Sequence, residues 1–262
     1  MFKNTQFKCF DEWLVNFVNG RNKWYSSWFD SKYYHILYSS RDYQEAERFI
    51  FRLFEYLNVR KGEKVMDLAC GKGRHSKVMA KLGANVFGLD LSKESIDFAK
   101  NYEQKNLKFD VHDMREIYKE DSFDKVLNLF TSIGYFDNTD DNKLVIEAVY
   151  ENLNKGGIFV IDFFNTKKVI ENFVPSEEKV VEDIKFDIQR SLENGFILKQ
   201  IDFSDNGIEY SFTEKVQALN YNDFQKLLKG KFKITKTFGD YELNSFDELI
   251  SNRLILVCEK IS

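Results

Sequence analysis

The stretch Lys64–Ser76, KVMDLACGKGRHS, has the order of a buried strand, a tight turn and the start of a helix. Its apolar run ends at Asp67, small residues and two glycines follow, and a helical pattern begins near Arg74. Glycines let a ligand approach the backbone, and the exposed N–H groups of a turn and helix start face that ligand. The stretch therefore predicts a binding turn suited to an adenosine that carries a charged tail.

A second acidic residue extends this pattern. Asp90 closes the next predicted strand, ANVFGLD. Ligands of parallel sheets bind beyond the carboxyl ends of the strands, so a carboxylate at this position can accept both hydroxyl groups of a ribose. The alternative interpretation is that Asp90 caps the helix that follows, before Ser92. The glycine spacing alone does not decide, because dinucleotide-binding folds use a similar one.

Two motifs carry a resemblance to a known family. Asp67–Gly73, DLACGKG, resembles the first motif of class I methyltransferases that use S-adenosylmethionine, and GLDLS at 88–92 resembles their second. The resemblance implies an α/β enzyme with a seven-stranded, mostly parallel Rossmann-like sheet, helices on both faces and an antiparallel last strand. It also implies S-adenosylmethionine as cofactor and S-adenosylhomocysteine as product. Ala69 departs from the motif, since many members have glycine there, but alanine is not expected to block the cofactor.

The rest of the chain alternates between strand and helix patterns. Strands are predicted at 64–68, 85–89, 107–111, 124–130 and 158–164, with helices at 74–82, 92–101 and 140–153. A helix at 42–58 precedes them, and a helix near 221–229 leads to two last strands, 231–238 and 253–260. Strands separated by helices favour a parallel sheet with right-handed crossovers. Residues 41–178 and 219–262 are therefore predicted to form the cofactor-binding core.

Residues 179–218 break this alternation. Apolar residues alternate along runs at roughly 181–192, 196–204 and 207–218, and Asn-Gly dipeptides between the runs favour tight hairpins. We expect an inserted three-stranded antiparallel sheet, which either roofs the ligand pocket or forms a homodimer interface. An exposed sheet edge has to be covered in either case.

The first 40 residues are unusually aromatic. We expect residues 1–40 to form a helical aromatic lid. Its rings either pack on the main domain or exclude water from a small-molecule site, and the two roles are compatible.

Composition narrows the class of protein. The chain is 43% hydrophobic and 31% charged, as in globular proteins, and its net charge of −4 argues against a protein built to grip nucleic-acid phosphates. No apolar run approaches the roughly 20 residues of a membrane-spanning helix, and the first residues are too polar for a secretory signal. Three cysteines without metal or disulfide spacing are typical of a reducing compartment. We therefore expect a cytoplasmic protein without membrane or nucleic-acid partners, and no metal, since His35, His75 and His112 lack ligand spacing.

The cofactor site follows partly from the residues and partly from the resemblance. Gly71 and Gly73 allow close approach of the backbone, and Asp67 orients the turn and meets the methionine amine. By resemblance, Asp113 contacts the adenine amino group and Arg41 the cofactor carboxylate. The predicted cofactor-binding residues are Arg41, Asp67, Ala69, Cys70, Gly71, Gly73, Asp90, Leu91, Asp113, Met114, Asn128 and Phe130.

The acceptor site is predicted after the fourth strand, in NLFTSIGYF at 128–136. Together with YHILY at 34–38 and the inserted strands, this stretch is similar to enzymes that N-methylate amino groups of nucleotide-linked deoxysugars. That resemblance places Tyr38 beside the transferred methyl group. The predicted catalytic and acceptor-pocket residues are Tyr34, Tyr38, Ser132 and Tyr135. Asp162, at the end of the fifth strand, is either a base or a buried structural carboxylate.

Three functions compete on this evidence. The leading hypothesis is an S-adenosylmethionine-dependent methyltransferase that acts on a small molecule by in-line transfer, with little or no general-base help. The alternative is a non-catalytic regulatory protein that binds S-adenosylmethionine or S-adenosylhomocysteine. A nicotinamide dehydrogenase is disfavoured because Asp67 precedes the glycines and no tyrosine–lysine pair at short spacing is present. Methylation of DNA adenine is disfavoured because NLFTSIGY lacks the asparagine–proline–proline–tyrosine motif.

Overall fold

The structure is a computed structural model that describes residues 28–39 and 43–261. The predicted cofactor ligand Arg41 and most of the predicted lid lie outside these ranges. The helices are α1 (Lys32–Leu37), α2 (Tyr43–Tyr56), α3 (Arg74–Lys81), α4 (Lys93–Ala99), α5 (Asp141–Asn152), α6 (Thr166–Glu171) and α7 (Tyr221–Leu228). A single 3-10 turn, Lys100–Tyr102, continues α4.

Eleven strands are described between residues 64 and 260. They are β1 (Lys64–Leu68), β2 (Asn85–Asp90), β3 (Leu107–Val111), β4 (Phe123–Asn128), β5 (Leu153–Phe164), β6 (Ser176–Val181), β7 (Ile184–Glu193), β8 (Phe196–Asp205), β9 (Ile208–Gln217), β10 (Phe232–Phe238) and β11 (Arg253–Lys260). Seven of them form one sheet in the order β10-β11-β5-β4-β1-β2-β3, and β6 to β9 form a second sheet.

The seven-stranded sheet confirms the predicted topology. Strands β1 to β5 pair in parallel, and β11 runs antiparallel to both β5 and β10. The chain leaves β1 toward β2 and β3 and then returns to β4 on the other side. The strand order therefore reverses beside β1, and the crevice where open α/β sheets bind ligands lies at the carboxyl ends of β1 and β4.

The sheet is buried on both faces. Met66 of β1 packs in one hydrophobic cluster with α5, and its neighbour Val65 packs in a second cluster with α2 and α3. Since successive side chains of a strand point to opposite faces, a strand covered on both sides reads as a continuous apolar run. This explains why the parallel strands could be located from the sequence.

The inserted sheet has four strands, and the prediction of three was wrong by one. Strands β7 to β9 match the predicted runs, and β6 pairs antiparallel with β7 at their edge. The sequence of β6, SEEKVV, is mostly polar, and every second residue of it is exposed. Its turn to β7 uses Glu182 and Asp183, both at positive φ, instead of an Asn-Gly pair. An edge strand with such a turn carries none of the signals by which hairpins are recognised.

Residues 28–39 pack on the apolar face of the second sheet. Trp28, Tyr33 and Leu37 are buried in one cluster with side chains of β7 and β8. Hydrogen bonds fix the arrangement: the Tyr33 hydroxyl donates to Asp205 over 2.9 Å, and the Trp28 Nε1 donates to Glu214 over 2.7 Å. Trp28 and Tyr33 thus pack on the inserted sheet, and these contacts hold the segment against it.

Smaller differences concern the element ends. β5 begins at Leu153, five positions before the predicted start, because Lys155-Gly156-Gly157 is part of the strand rather than a connection before it. The short helix α6 was not predicted; Asn165 caps it by accepting from the Lys168 N–H. Among the described residues, no helix combines the length and apolar character that a membrane crossing requires.

Candidate active site

The loops at the carboxyl ends of the parallel strands surround a cavity of about 520 Å³. The core contributes the turn after β1, the ends of β2 and β3 and the loop after β4 to its lining. The N-terminal segment and Glu214 of β9 complete the lining. The cavity is therefore built by both sheets and by the segment that joins them.

The glycine turn after β1 has a left-handed backbone at three positions. The φ angles of Ala69, Gly71 and Gly73 are +62°, +54° and +74°. A Cβ atom at Gly71 would meet nothing within 4 Å, whereas one at Gly73 would lie 2.6 Å from the ring of Phe109. Gly71 lines the cavity and leaves space for a ligand against the backbone. Gly73 instead lets α3 pack closely on the sheet.

Asp67 is placed beneath the turn and outside the cavity lining. Its side chain is 1% exposed and accepts a 2.5 Å hydrogen bond from the Ser76 hydroxyl of α3. Burial raises the pKa of Asp67 to about 6, although the Ser76 hydrogen bond opposes this shift. The structure thus connects Asp67 to the first turn of α3, in a position to orient the turn.

Asp90 lines the cavity at the end of β2. Its Oδ2 accepts from the Gly71 N–H over 2.7 Å and its Oδ1 from the Ser92 N–H over 2.8 Å. Burial raises the pKa of Asp90, and these two N–H donors act against it. Each carboxylate oxygen has a second lone pair, so Asp90 can still accept two hydroxyl groups. The N-cap of α4 is Ser92, whose hydroxyl accepts from the Ser95 N–H.

The ends of β2 and β3 form the adjoining wall. Leu91, Asp113 and Met114 line the cavity. The Asp113 carboxylate accepts from Arg115 Nε over 3.0 Å and from its terminal nitrogen over 2.6 Å, and Arg115 also contacts Asp141. This pairing, which the sequence did not indicate, fixes the carboxylate beside the cavity.

The loop after β4 has two residues with a left-handed backbone, and hydrogen bonds to Asp162 fix it. Phe130 and Thr131 have φ angles of +63° and +60°. The Phe130 N–H donates to the Asp162 carboxylate over 2.8 Å, and the Thr131 N–H donates to the Asp162 carbonyl over 2.8 Å. Asp162 is 1% exposed and also accepts from Arg253 and Tyr241. These contacts agree with the interpretation of Asp162 as a buried structural carboxylate.

Aromatic side chains form another part of the cavity wall. The rings of Phe29 and Tyr34 lie 4.9 Å apart, those of Phe29 and Tyr135 5.5 Å apart, and those of Tyr34 and Tyr38 5.0 Å apart. Since Tyr135 follows β4 and the other three belong to the N-terminal segment, these contacts bring two distant parts of the chain together. Ser132 also lines the cavity and donates to the Leu129 carbonyl over 3.0 Å.

Glu214 is a site residue that sequence reasoning missed. It is 16% exposed and lines the cavity from the second sheet. The Tyr38 hydroxyl donates to its Oε1 over 2.7 Å, and the Lys199 ammonium lies 3.7 Å from its Oε2. Alternation along β9 placed Glu214 in a strand, but nothing in the sequence indicated which strand would face the pocket.

Most of the predicted site residues line this one cavity. They are Tyr34, Tyr38, Ala69, Cys70, Gly71, Asp90, Leu91, Asp113, Met114, Phe130, Ser132 and Tyr135. Asp67, Gly73 and Asn128 lie outside the lining, and Asn128 donates to the Leu68 carbonyl over 3.0 Å. Leu129, Thr131 and Phe136 line the cavity as part of the predicted acceptor stretch 128–136. The other lining residues were not among the predicted site residues and are Phe29, His35, Ser39, Lys72, Arg74, His75, Ser92, Ser95, Phe98, His112 and Glu214.

Two titratable side chains of the lining, His75 and Cys70, have pKa values that are shifted toward the uncharged form. Burial and the neighbouring Arg74 lower the pKa of His75 to about 3. Burial raises the pKa of the Cys70 thiol well above its usual range, which disfavours the reactive thiolate form. Within residues 28–39 and 43–261, no three His, Cys, Asp or Glu side chains form a group that could hold a metal ion.

Comparison with known proteins identifies the family. A family model described as a methyltransferase domain matches residues 59–197, more than half of the chain. The chain belongs to this methyltransferase family. Structural neighbours of this methyltransferase depend on S-adenosylmethionine, and one of them was solved with that cofactor bound. The two sequence motifs of this methyltransferase imply the same cofactor.

The similar proteins differ in the share of this methyltransferase chain that aligns with them. A putative methyltransferase of Bacillus subtilis, YqeM, is 34% identical over 43% of this chain and 47% of its own length. The chain thus spans about half the length of that curated relative. An S-adenosylmethionine-dependent methyltransferase of Clostridium acetobutylicum has 19% identity, a TM-score of 0.72 and coverage of 96% of this chain and 98% of its own. An amino pentose methyltransferase of Micromonospora echinaspora has 15% identity, a TM-score of 0.63 and complete coverage of both chains, 100% each. At these identities the two structures establish the fold alone.

Proposed function

We propose that this methyltransferase transfers a methyl group from S-adenosylmethionine to a small-molecule acceptor bound at the aromatic end of the cavity. The observation that carries this proposal is one cavity whose lining has two chemically different parts. One part, called here the cofactor end, has the glycine turn and Asp90, and the other, called the acceptor end, has Tyr34, Tyr38 and Tyr135. Its volume of about 520 Å³ is in the range of small-molecule sites.

The cofactor end has the groups that an adenosyl ligand needs. Asp90 would accept the ribose hydroxyls, Gly71 would face the ligand with its backbone, and Leu91 and Met114 would lie against the adenine. Asp113, held by Arg115, would accept from the adenine amino group. When bound, S-adenosylmethionine supplies a methyl group activated by the positive sulfur.

The acceptor end would act by placement and by exclusion of water. Aromatic walls keep water away from the reacting atoms, and the hydroxyl groups of Tyr34, Tyr38, Ser132 and Tyr135 orient the acceptor. Asp162, the candidate base, already accepts from the Phe130 N–H, Arg253 and Tyr241. These contacts support transfer with little or no general-base help. Two features agree with an amino group as the acceptor: the carboxylate of Glu214 at this end, and the fold shared with an amino pentose methyltransferase.

The second sheet supports the roof interpretation of the insert. Its residue Glu214 reaches the cavity, and its apolar face holds the segment that carries Tyr34 and Tyr38. An insert that only joined two copies of the chain would not need to supply a cavity residue. The proposed partner of this site is therefore a small molecule enclosed by the chain itself.

Calorimetry with S-adenosylhomocysteine tests the cofactor end. Asp90→Ala should weaken binding by about 1–3 kcal/mol, because two hydroxyl groups would lose a charged acceptor. Asp97→Ala, an exposed carboxylate of α4 paired with Lys93, is the control and should bind as the wild type does. Equal affinity of Asp90→Ala and wild type would remove Asp90 from the site. Tight binding of NAD in place of S-adenosylhomocysteine would contradict the cofactor assignment.

An acceptor screen tests the remaining part of the proposal. The wild type is incubated with S-adenosylmethionine and a panel of amines, amino sugars, phenols and carboxylic acids, and the release of S-adenosylhomocysteine is measured. Release with a small acceptor supports the proposal. Methylation of only a protein or nucleic-acid acceptor, or binding of the cofactor without release for any acceptor class, would contradict it, and the latter would favour a regulatory protein.

A further inference from the structure

A row of charged side chains crosses the second sheet toward the cavity. In the strand register, Arg190 pairs with Lys199 and Lys199 pairs with Glu214. Arg190 also contacts Glu177 of β6 over 2.5 Å. The row lies on one face of the second sheet, and the apolar side chains of that same face pack against α1. Of these four charged side chains, Glu214 is the one that lines the cavity.

The position of Glu214 is fixed from three sides. Its Oε1 accepts from Trp28 Nε1 and from the Tyr38 hydroxyl, both over 2.7 Å. Its Oε2 lies 3.0 Å from the same hydroxyl and 3.7 Å from the Lys199 ammonium. A carboxylate can accept about four hydrogen bonds, so two donors on Oε1 leave accepting capacity on Oε2. A side chain held in this way is preorganised to accept a hydrogen bond from a ligand.

The charged groups of the cavity lining come from both sheets. Lys72 and Arg74 belong to the glycine turn, and Asp90 and Asp113 belong to the ends of β2 and β3. Glu214 is, among the lining residues that the structure describes, the carboxylate that contacts the aromatic segment. A carboxylate surrounded by aromatic faces is complementary to positive charge and repels a carboxylate or phenolate.

We infer that Glu214 is a catalytic residue that stabilises the positive charge that develops on an acceptor amine during methyl transfer. This inference rests on the proposed function, and it assigns a role to a side chain of the inserted sheet. Tyr38, Trp28 and Lys199 then act as positioning residues that hold the carboxylate.

The charge balance of the step explains why a carboxylate is needed. The lone pair of a neutral acceptor amine forms a bond to the methyl carbon while the carbon–sulfur bond breaks, and the electron pair of that bond stays on sulfur. Positive charge therefore passes from sulfur to nitrogen, and the methylated ammonium releases its extra proton to water afterwards. Glu214 accepts a hydrogen bond from the amine, which directs the lone pair away from the carboxylate, and its attraction grows as the nitrogen becomes positive. The same carboxylate would repel an acceptor with an anionic oxygen and would therefore slow methyl transfer to it.

Binding of sinefungin tests the inference without an identified acceptor. This analogue of S-adenosylmethionine carries an amine at the position of the sulfonium methyl group, so its ammonium faces the acceptor end. Calorimetry gives the ratio of its affinity to that of S-adenosylhomocysteine. In Glu214→Gln, which keeps the size of the side chain, this ratio should fall about tenfold with S-adenosylhomocysteine affinity unchanged.

A matched control lies on the same strand. Glu209 of β9 is exposed, and Glu209→Gln should leave the ratio at the wild-type value. An unchanged ratio in Glu214→Gln, or an equal fall in Glu209→Gln, would overturn the inference. With an amine acceptor, Glu214→Gln should also lower kcat by about tenfold to a hundredfold. Turnover limited to phenols and carboxylic acids would overturn the inference and leave the proposed function intact. Methylation of only a macromolecule, together with the predicted change in the affinity ratio, would overturn the proposed function and leave the role of Glu214 intact.

Discussion

Ala69 has a backbone conformation that costs an alanine more than a glycine. Its φ of +62° is in the left-handed region, where an L side chain is destabilised by roughly 1–2 kcal/mol. Ala69→Gly removes this cost but gives the unfolded chain more freedom, worth up to about 1 kcal/mol. We expect a net gain in the free energy of unfolding of about 0.5 kcal/mol by urea denaturation. Ala80→Gly in α3 is the control and should lose about 1 kcal/mol. A loss of similar size at both positions would show that Ala69 is not strained.

Asp67 gives the stability of the protein a pH dependence of predictable sign. Burial raises its pKa from 3.8 to about 6, so the folded protein binds this proton more tightly than the unfolded chain does. The stabilisation is complete below about pH 4 and is lost as the pH rises through 6. Asp67→Asn cannot ionise and still accepts from Ser76. Between pH 4.5 and 7.5, its unfolding free energy should therefore rise relative to wild type by on the order of 1–3 kcal/mol.

Urea denaturation at a series of pH values measures this difference. Asp97→Asn, at an exposed site on α4, is the control and should follow the wild-type pH dependence. Parallel pH curves for Asp67→Asn and the wild type would contradict the assignment of a raised pKa to Asp67.

The loop after β4 depends on one ion pair that lies outside the cavity. Arg253 contacts the Asp162 carboxylate over 2.7 Å and donates to the Thr131 hydroxyl over 3.1 Å. Asp162→Asn would leave Arg253 buried without its counter-charge, which costs roughly 3–5 kcal/mol of stability when a buried pair is broken. Because the loop supplies acceptor-pocket residues, kcat should fall more than the affinity for S-adenosylhomocysteine.

The control for this loop is an exposed ion pair. Glu47→Gln, which breaks the contact with Lys81, should change the unfolding free energy by less than about 1 kcal/mol. If Asp162→Asn is no less stable than Glu47→Gln, the Asp162–Arg253 pair does not hold the loop.

These elements also show what the sequence could reveal. The parallel strands and their loops were predictable because a strand buried on both faces is a continuous apolar run, and carboxyl ends of parallel strands meet at one edge. Asp90 and Gly71 were therefore found. Strand β6 was missed because a polar edge strand has no such run, and Glu214 because its approach to the cavity depends on how two sheets pack. The Asp162–Arg253 pair joins residues 91 positions apart, a contact that local patterns do not encode.

Residues 28–39 connect the two sheets across the cavity, and this arrangement links the second sheet to cofactor binding. On the side of the second sheet, the Tyr33 hydroxyl and the Lys32 ammonium contact Asp205 over 2.9 and 3.1 Å. In the same segment, Asp30 accepts from the Ser92 hydroxyl on the side of the first sheet, next to Asp90. Each contact of this segment adds to the free energy of opening it locally, and ligand affinity falls with the fraction of molecules in the closed form.

Loss of the Tyr33–Asp205 hydrogen bond should therefore weaken cofactor binding from a distance. We expect Tyr33→Phe to lower the affinity for S-adenosylhomocysteine about twofold to fivefold by calorimetry, since a net hydrogen bond is worth about 1 kcal/mol. Asp205→Asn should do the same, and the double variant should lose little more, because both changes break one contact. Tyr150→Phe removes a 3.1 Å hydrogen bond to the Ile261 carbonyl at another place and should bind normally. If Tyr33→Phe lowers the unfolding free energy while the affinity stays at the wild-type value, the segment stabilises the second sheet without acting on the cofactor site.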